Sequence, residues 1–256
     1  MGVDLRGAAA LVTGGATGLG RAFVEELTGR GARVLFTFSQ SAPAAGSLIE
    51  TLEGRGRTVA SVRADVTRTV EVEAAVAETL DRFGALDILV NNAGTTRWIP
   101  MHDLEAADDD AWHGLLDVNL VGAFRCVRAA APHLGAREGS ILNVASNSAF
   151  SGSGSSIPYV VSKAALVSLT EVLAQVLAPE VRVNAVAPGW MDTEWLPRHI
   201  PPDVAERLRT EQPFVDLGDV ARVGVELLAN ETVTGQTIVL DRGESLGASE
   251  RRTGRV

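Results

Sequence analysis

The sequence predicts an α/β protein built on a doubly wound, seven-stranded parallel sheet in a single domain. Three observations predict it. Seven short apolar runs recur along 256 residues and alternate with stretches of helical periodicity. Those runs are continuously apolar, as strands covered on both faces must be. The first run leads directly into a glycine-rich turn and then a helical pattern, the connection from which such sheets are wound.

Residues 8–13 form the first apolar run. Behind it Phe23, Val24 and Leu27 make a helical stripe, and Gly31 supplies a stop signal. Residues 33–38 and 58–62 read as the second and third strands. Val72, Val76 and Leu80, spaced by four, mark the next helix. Residues 86–91, 140–145, 182–187 and 236–241 complete the strands. Leu166, Leu169, Leu173 and Val176 stripe the helix before the sixth, and Pro132 and Pro179 stand where helices should end. No repeat or Pro/Ser-rich linker interrupts the pattern. It predicts one domain over residues 1–247, followed by a polar tail, 248–256, with Arg251, Arg252 and Arg255.

The composition narrows the function. A net charge of −9, from 23 basic and 32 acidic residues without a basic run, argues against binding nucleic acid or an anionic membrane. The single cysteine, Cys126, has no partner for a disulfide and reads as a buried thiol. His102, His113, His133 and His199 are scattered without metal-ligand spacing, so no metal is expected. No Gly-x-Ser-x-Gly turn leads from an apolar run into a helical pattern, as the elbow of a serine hydrolase requires. Asp4 and Arg6 interrupt the start, and no stretch approaches the roughly 20 apolar residues of a membrane span. A cytoplasmic protein is the expectation.

Two motifs carry chemistry. Thr13-Gly14-Gly15-Ala16-Thr17-Gly18-Leu19-Gly20 joins the first strand to the first helix. Glycines there let the backbone approach a pyrophosphate, and the helix start offers free amides and a favourable dipole. Tyr159 and Lys163 lie four residues apart, on one face of a helix. A neighbouring ammonium favours phenolate, so the pair could act as a general acid/base.

The glycine spacing resembles the cofactor loop of the short-chain dehydrogenase/reductase superfamily, including its ketoacyl reductase and glucose dehydrogenase-like members. Further motifs follow in that family's order: Asn91-Asn92-Ala93-Gly94, Asn119, Ser146, Tyr159-x-x-x-Lys163 and Pro188-Gly189-x-x-x-Thr193. The resemblance implies a Rossmann-type fold and an oxidoreductase that moves a hydride between a nicotinamide cofactor and a ketone or secondary alcohol. By that resemblance Tyr159 exchanges the proton, Lys163 holds the nicotinamide ribose and acidifies the tyrosine, Ser146 polarises the substrate oxygen, and Asn119 positions a water in a proton relay. Asn119 could equally be a helix-kink residue, and Ser148 is a competitor for the serine role.

The same resemblance implies a cofactor site. Gly14, Thr17, Gly18, Leu19 and Gly20 would meet the pyrophosphate and its ribose. Asp65 and Val66 would meet the adenine, and Asn91, Ala93 and Gly94 the adenosine ribose side. Pro188, Gly189, Met191 and Thr193 would face the carboxamide end. No Asp or Glu lies between Gly31 and Ile49, where NAD binders place an acid on the ribose 2′-hydroxyl. The arginines typical of NADP binders are missing too, with Thr17 and Gln40 in their places. Ser39, Ser41 and the start of the second helix could hold a phosphate, so NADP(H) is expected over NAD(H).

Trp98, Phe150, Trp190 and Trp195 lie by the expected pocket, and the three tryptophans there suggest an apolar or aromatic small-molecule substrate, though each could instead pack in the core or an interface. Acyl-carrier reductases place basic residues beside the site. Arg125 matches one such position, but the second falls near Ala178-Pro179-Glu180, so an acyl-carrier partner is weakly supported. Relatives commonly form tetramers through the Asn119 and Tyr159 helices and the last strand, so the resemblance implies a homo-oligomer, tetramer or dimer. A dehydratase or epimerase on the same scaffold, or a dinucleotide sensor without turnover, are the alternatives.

Overall fold

The computed structural model describes residues 3–211 and 214–246, except for the side chain of Trp195. The predicted tail lies outside the described residues. Seven strands form one sheet: β1 (Ala9–Val12), β2 (Arg33–Phe38), β3 (Val59–Arg63), β4 (Ile88–Asn91), β5 (Ser140–Val144), β6 (Arg182–Pro188) and β7 (Thr237–Leu240). Their order is β3-β2-β1-β4-β5-β6-β7, and every pairing is parallel. The first helices are α1 (Gly18–Gly29), α2 (Ala42–Glu53) and α3 (Thr69–Phe83). A long helical stretch follows, made of α4 (Asp109–Leu116), a π-helical segment (Asp117–Gly122) and α5 (Ala123–Gly135). Then come α6 (Ser148–Ser151), α7 (Ile157–Leu177), α8 (Trp195–His199), α9 (Pro202–Glu211), α10 (Leu217–Ala229) and a 3₁₀ turn (Glu244–Leu246).

Successive strand residues point to opposite faces, which splits the core in two. Val12, Val34, Phe36, Val90 and Leu142 pack with Phe23 and Leu27 of α1 and with Val225 and Leu228 of α10. Leu11, Leu35, Leu89 and Ile141 pack on the other face with Val76 of α3, Cys126 and Leu134 of α5 and Leu173 of α7. A third, separate cluster joins Leu196, Ile200, Ala205 and Leu208 with Trp98, Trp190, Val204 and Phe214.

Two expectations need correction. Pro132 does not end its helix, because α5 runs on to Gly135. The ring removes a hydrogen bond to the Arg128 carbonyl, but both residues lie on the exposed side, while Leu134 fixes the last turn in the core. The second concerns α7, which is long and apolar enough to cross a membrane. In this fold it packs against β6 and buries Lys163, Leu166, Thr170 and Leu173.

Candidate active site

Strand order reverses between β1 and β4 because β2 and β3 lie on one side of β1 and β4 to β7 on the other. Loops leaving the two strands diverge there, and a crevice opens at the carboxyl ends of the strands. A cleft of about 690 Å³ fills it, lined by the glycine turn, the turn after β4, the segments after β5 and β6 and the start of α7.

At one end stands the glycine turn. Gly18 takes a left-handed φ of 53°, and an added Cβ there would touch Thr193 at 3.6 Å. The segment after β6 therefore lies across this turn. Gly20 permits closer packing still, since a Cβ there would overlap the Gly14 carbonyl oxygen and Asn92 Nδ2. The Thr17 side chain does not cap α1, so its first-turn amides open onto the cleft. That cradle fits a pyrophosphate.

Asn92, which the sequence reading did not select, ties the cradle to β4. Its Nδ2 donates to the carbonyls of Thr13 and Gly14, both at 3.0 Å, and its backbone amide donates to Thr13 Oγ1 at 3.0 Å. Gly14 N donates to Thr37 Oγ1 at 3.2 Å. The Asn91 side chain, by contrast, points away from the cleft. Its Nδ2 donates to Asn143 Oδ1 at 2.9 Å, and Asn143 Nδ2 donates to Thr170 Oγ1 at 2.9 Å. This polar chain joins β4, β5 and α7 inside the core. Strand alternation decides the matter: adjacent asparagines face opposite ways.

The catalytic candidates gather at the other end. Ser156 caps α7 by accepting from Tyr159 N at 3.3 Å, and Pro158 occupies the helix start. This fixes Tyr159 and Lys163 in the first turns, facing the end of β5. Lys163 Nζ donates to the Val144 carbonyl at 2.8 Å and lies 5.9 Å from the centroid of the Tyr159 ring. Ser146, just past β5, hydrogen-bonds the Tyr159 phenol. Tyr159, Lys163 and Ser146 all line the cleft.

Asn119 sits behind them in the π-helical segment, 1 % exposed. Its Oδ1 accepts from Thr95 N at 2.8 Å, and its Nδ2 donates to Thr95 O and Ser162 Oγ, each at 3.0 Å. An added Cβ on Gly94 would lie 3.4 Å from Asn119 Oδ1 and 3.5 Å from Lys163 Nζ. The asparagine thus locks the Gly94–Thr95 turn against α7, next to the ammonium.

The electrostatics depart from the sequence expectation. Burial pushes the Tyr159 phenol above its ordinary value, and the Ser146 hydrogen bond only partly opposes it. Burial also lowers Lys163, to about 8. Without cofactor, the lysine does not bring the tyrosine down; each group is held toward its neutral form.

Among the remaining sequence candidates, Ser39, Asp65, Val66, Ala93, Gly94, Pro188, Gly189, Met191, Thr193 and Trp190 line the cleft. Phe150 does not; it is 50 % exposed. Trp98 lines a smaller adjoining cavity with Arg97, His199 and Ile200. Trp195's side chain lies outside the described residues. Arg125 is drawn into the fold, 2.7 Å from Asp117.

Glu244 also lines the cleft and was missed. Its carboxyl accepts from Asn147 Nδ2 at 3.1 Å, and burial raises its pKa. No local pattern in the sequence announces it, because the 3₁₀ turn that carries it reaches the cleft only through the β6–β7 pairing. Among the described residues no group of His, Cys, Asp and Glu could hold a metal ion.

Known proteins resemble this chain over nearly its whole length. A family model described as short chain dehydrogenase matches residues 8–200. Ketoacyl reductase 2 of the granaticin polyketide synthase of Streptomyces violaceoruber is 36 % identical over 248 residues, covering 93 % of this chain and 96 % of that protein. A 3-oxoacyl-acyl-carrier-protein reductase of Staphylococcus aureus is 33 % identical, covering 91 % and 96 %. The crystal structure of a short chain dehydrogenase from Burkholderia cenocepacia in complex with NADP superposes with a TM-score of 0.83 at 34 % identity, over 93 % of this chain and 98 % of that one.

Proposed function

This chain belongs to the short-chain dehydrogenase family, and from that premise we propose that it is an NADPH-dependent ketoreductase acting on an apolar, ketoacyl-type or aromatic ketone. The observation that carries the reading is the convergence of Ser146, Tyr159 and Lys163 at the end of the cleft opposite the glycine cradle. NADPH, when bound, supplies the hydride. The cradle amides and the Asn92-braced turn would hold its pyrophosphate, and the segment from Pro188 to Thr193 its carboxamide end.

The substrate carbonyl oxygen would sit between two hydroxyls. Ser146 would donate to it and stabilise the negative charge that develops there. Tyr159 would deliver the proton. Because burial keeps the phenol protonated, the acid is in the right form for reduction at neutral pH. Lys163 would steady the resulting phenolate and help return a proton to it. Met191, Trp190 and Leu196 line the cleft and favour an apolar substrate body.

The NADP complex of the Burkholderia relative supports the phosphorylated cofactor. Val161, Val172 and Val176 of α7, with Val121 and Phe124 beside the Asn119 segment, are exposed. This apolar strip supports an oligomer formed through these helices, and a light-scattering mass near one chain would exclude it.

The test is a screen of β-ketoacyl thioesters and aromatic ketones, read by loss of the NADPH absorbance band, with Tyr159→Phe as control. Turnover of at least one class with stoichiometric NADPH use is expected. Tyr159→Phe should lose it while binding NADPH normally. Normal activity in that variant would refute the mechanism, and product without net NADPH use would indicate a dehydratase or epimerase.

A further inference from the structure

We infer that Arg63, from the third strand, is the cation that recognises the 2′-phosphate of NADPH and sets the cofactor preference; the inference rests on the cofactor reading above. The loop after β2 carries no arginine or lysine, yet the fold supplies a cation to it from another strand. Parallel pairing of β2 with β3 sets Phe38 beside Arg63. Arg63 Nε then donates to the Ser39 carbonyl at 3.1 Å. That single bond orients the guanidinium and leaves its two terminal nitrogens without a partner among the described residues.

The surroundings suit a dianion. Thr37, Ser39, Gln40 and Ser41 line this end of the cleft. The hydroxyls of Ser39 and Ser41 make no hydrogen bond among the described residues, and Ser41 stands at the start of α2 without capping it.

Carboxylates do not compete. Arg68, five residues on, pairs with Glu71 at 2.7 Å, whereas no carboxylate pairs with Arg63 among the described residues. Asp65, the acid on the cleft wall, accepts from Thr67 N at 2.9 Å and Thr67 Oγ1 at 2.8 Å, which turns its charge into its own loop. A planar guanidinium with two open donors matches a phosphate in geometry and charge. A bare 2′-hydroxyl would gain much less from it.

The experiment measures dissociation constants by calorimetry for the full chain, Arg63→Ala and Arg63→Lys. The probes are NADPH, NADH, adenosine 2′,5′-bisphosphate and 5′-AMP, each at low and moderate salt. Arg63→Ala should weaken NADPH and the bisphosphate about tenfold, the low end for a charged hydrogen bond at an exposed site. NADH and 5′-AMP should stay within about twofold, and the salt sensitivity of NADPH binding should shrink. Arg63→Lys should fall between, and unchanged far-ultraviolet dichroism excludes misfolding.

Equal weakening of NADPH and NADH, or no weakening of either, overturns the role of Arg63. If the natural chain binds NADPH more tightly than NADH while Arg63→Ala is unaltered, only this inference fails. A natural chain that binds NADH more tightly overturns the cofactor reading as well.

Discussion

Replacing Lys163 with methionine should remove a pH dependence of stability that the natural chain shows above neutrality. Lys163 is 5 % exposed, and among the described residues its ammonium has one hydrogen bond, to the Val144 carbonyl at 2.8 Å. Burial lowers its pKa from 10.5 to about 8. Between those values the unfolded chain holds a proton that the folded chain has released, so stability rises with pH across that window. Below pH 8 both states are protonated, and the folded state carries the full cost of the buried charge. With about 1.4 kcal/mol per pKa unit, integration gives roughly 2 kcal/mol of added stability between pH 7 and 9.5. Urea unfolding of both proteins without cofactor, at pH 7, 8 and 9.5, measures it. The difference between natural chain and Lys163→Met should change by that amount, in favour of the natural chain as pH rises. The elevated Tyr159 phenol acts in the opposite sense, its contribution being lost as pH climbs past 10, so the comparison stops below that. Profiles that stay parallel from pH 7 to 9.5 would refute the argument.

Other outcomes follow from the same geometry. Gly20→Ala forces a Cβ against the Gly14 carbonyl and Asn92; it should cost about 1–3 kcal/mol in urea unfolding and weaken NADPH at least about tenfold in a fluorescence titration. Asn119→Ala removes the partners of the Thr95 amide and carbonyl and one of the two bonds of Ser162 Oγ; a loss of about 2–3 kcal/mol is expected, and a value below about 0.5 would mean the turn finds other partners. Ser146→Ala removes the hydroxyl proposed as second donor to the substrate oxygen and should lower kcat about a hundredfold or more with the NADPH dissociation constant unchanged. A drop in cofactor affinity instead would place Ser146 in the wrong half of the site.

All seven strands were legible because each is a short apolar run between turn residues, and the Arg33–Phe38 bounds are reproduced without change. Elsewhere the ends move by a residue or two. The glycine turn and Tyr159-x-x-x-Lys163 were legible for a different reason: their chemistry depends on local spacing. What the sequence hid is non-local. Asn91 and Asn92 are equivalent as letters, and only the strand's alternation sends one to the core and the other to the cradle. Arg63 meets Ser39 through a register between strands 24 residues apart in sequence. Glu244 arrives at the cleft from the far end of the chain. The tyrosine's pKa was misjudged because spacing reveals a neighbouring charge but not the burial that outweighs it.

The third hydrophobic cluster has an evolutionary consequence. Leu196, Ile200, Ala205, Leu208 and their four partners share no residue with either sheet core. Ser146, Tyr159 and Lys163 follow β5 or lie on α7, whereas part of the cleft wall, Trp190 and Leu196, belongs to this separate packing unit. Substitutions in the unit can change cavity shape without disturbing Val12, Phe36 or Leu173, on which the sheet depends. A descendant of this chain could therefore acquire a new ketone while inheriting its hydride chemistry and its thermal tolerance almost intact.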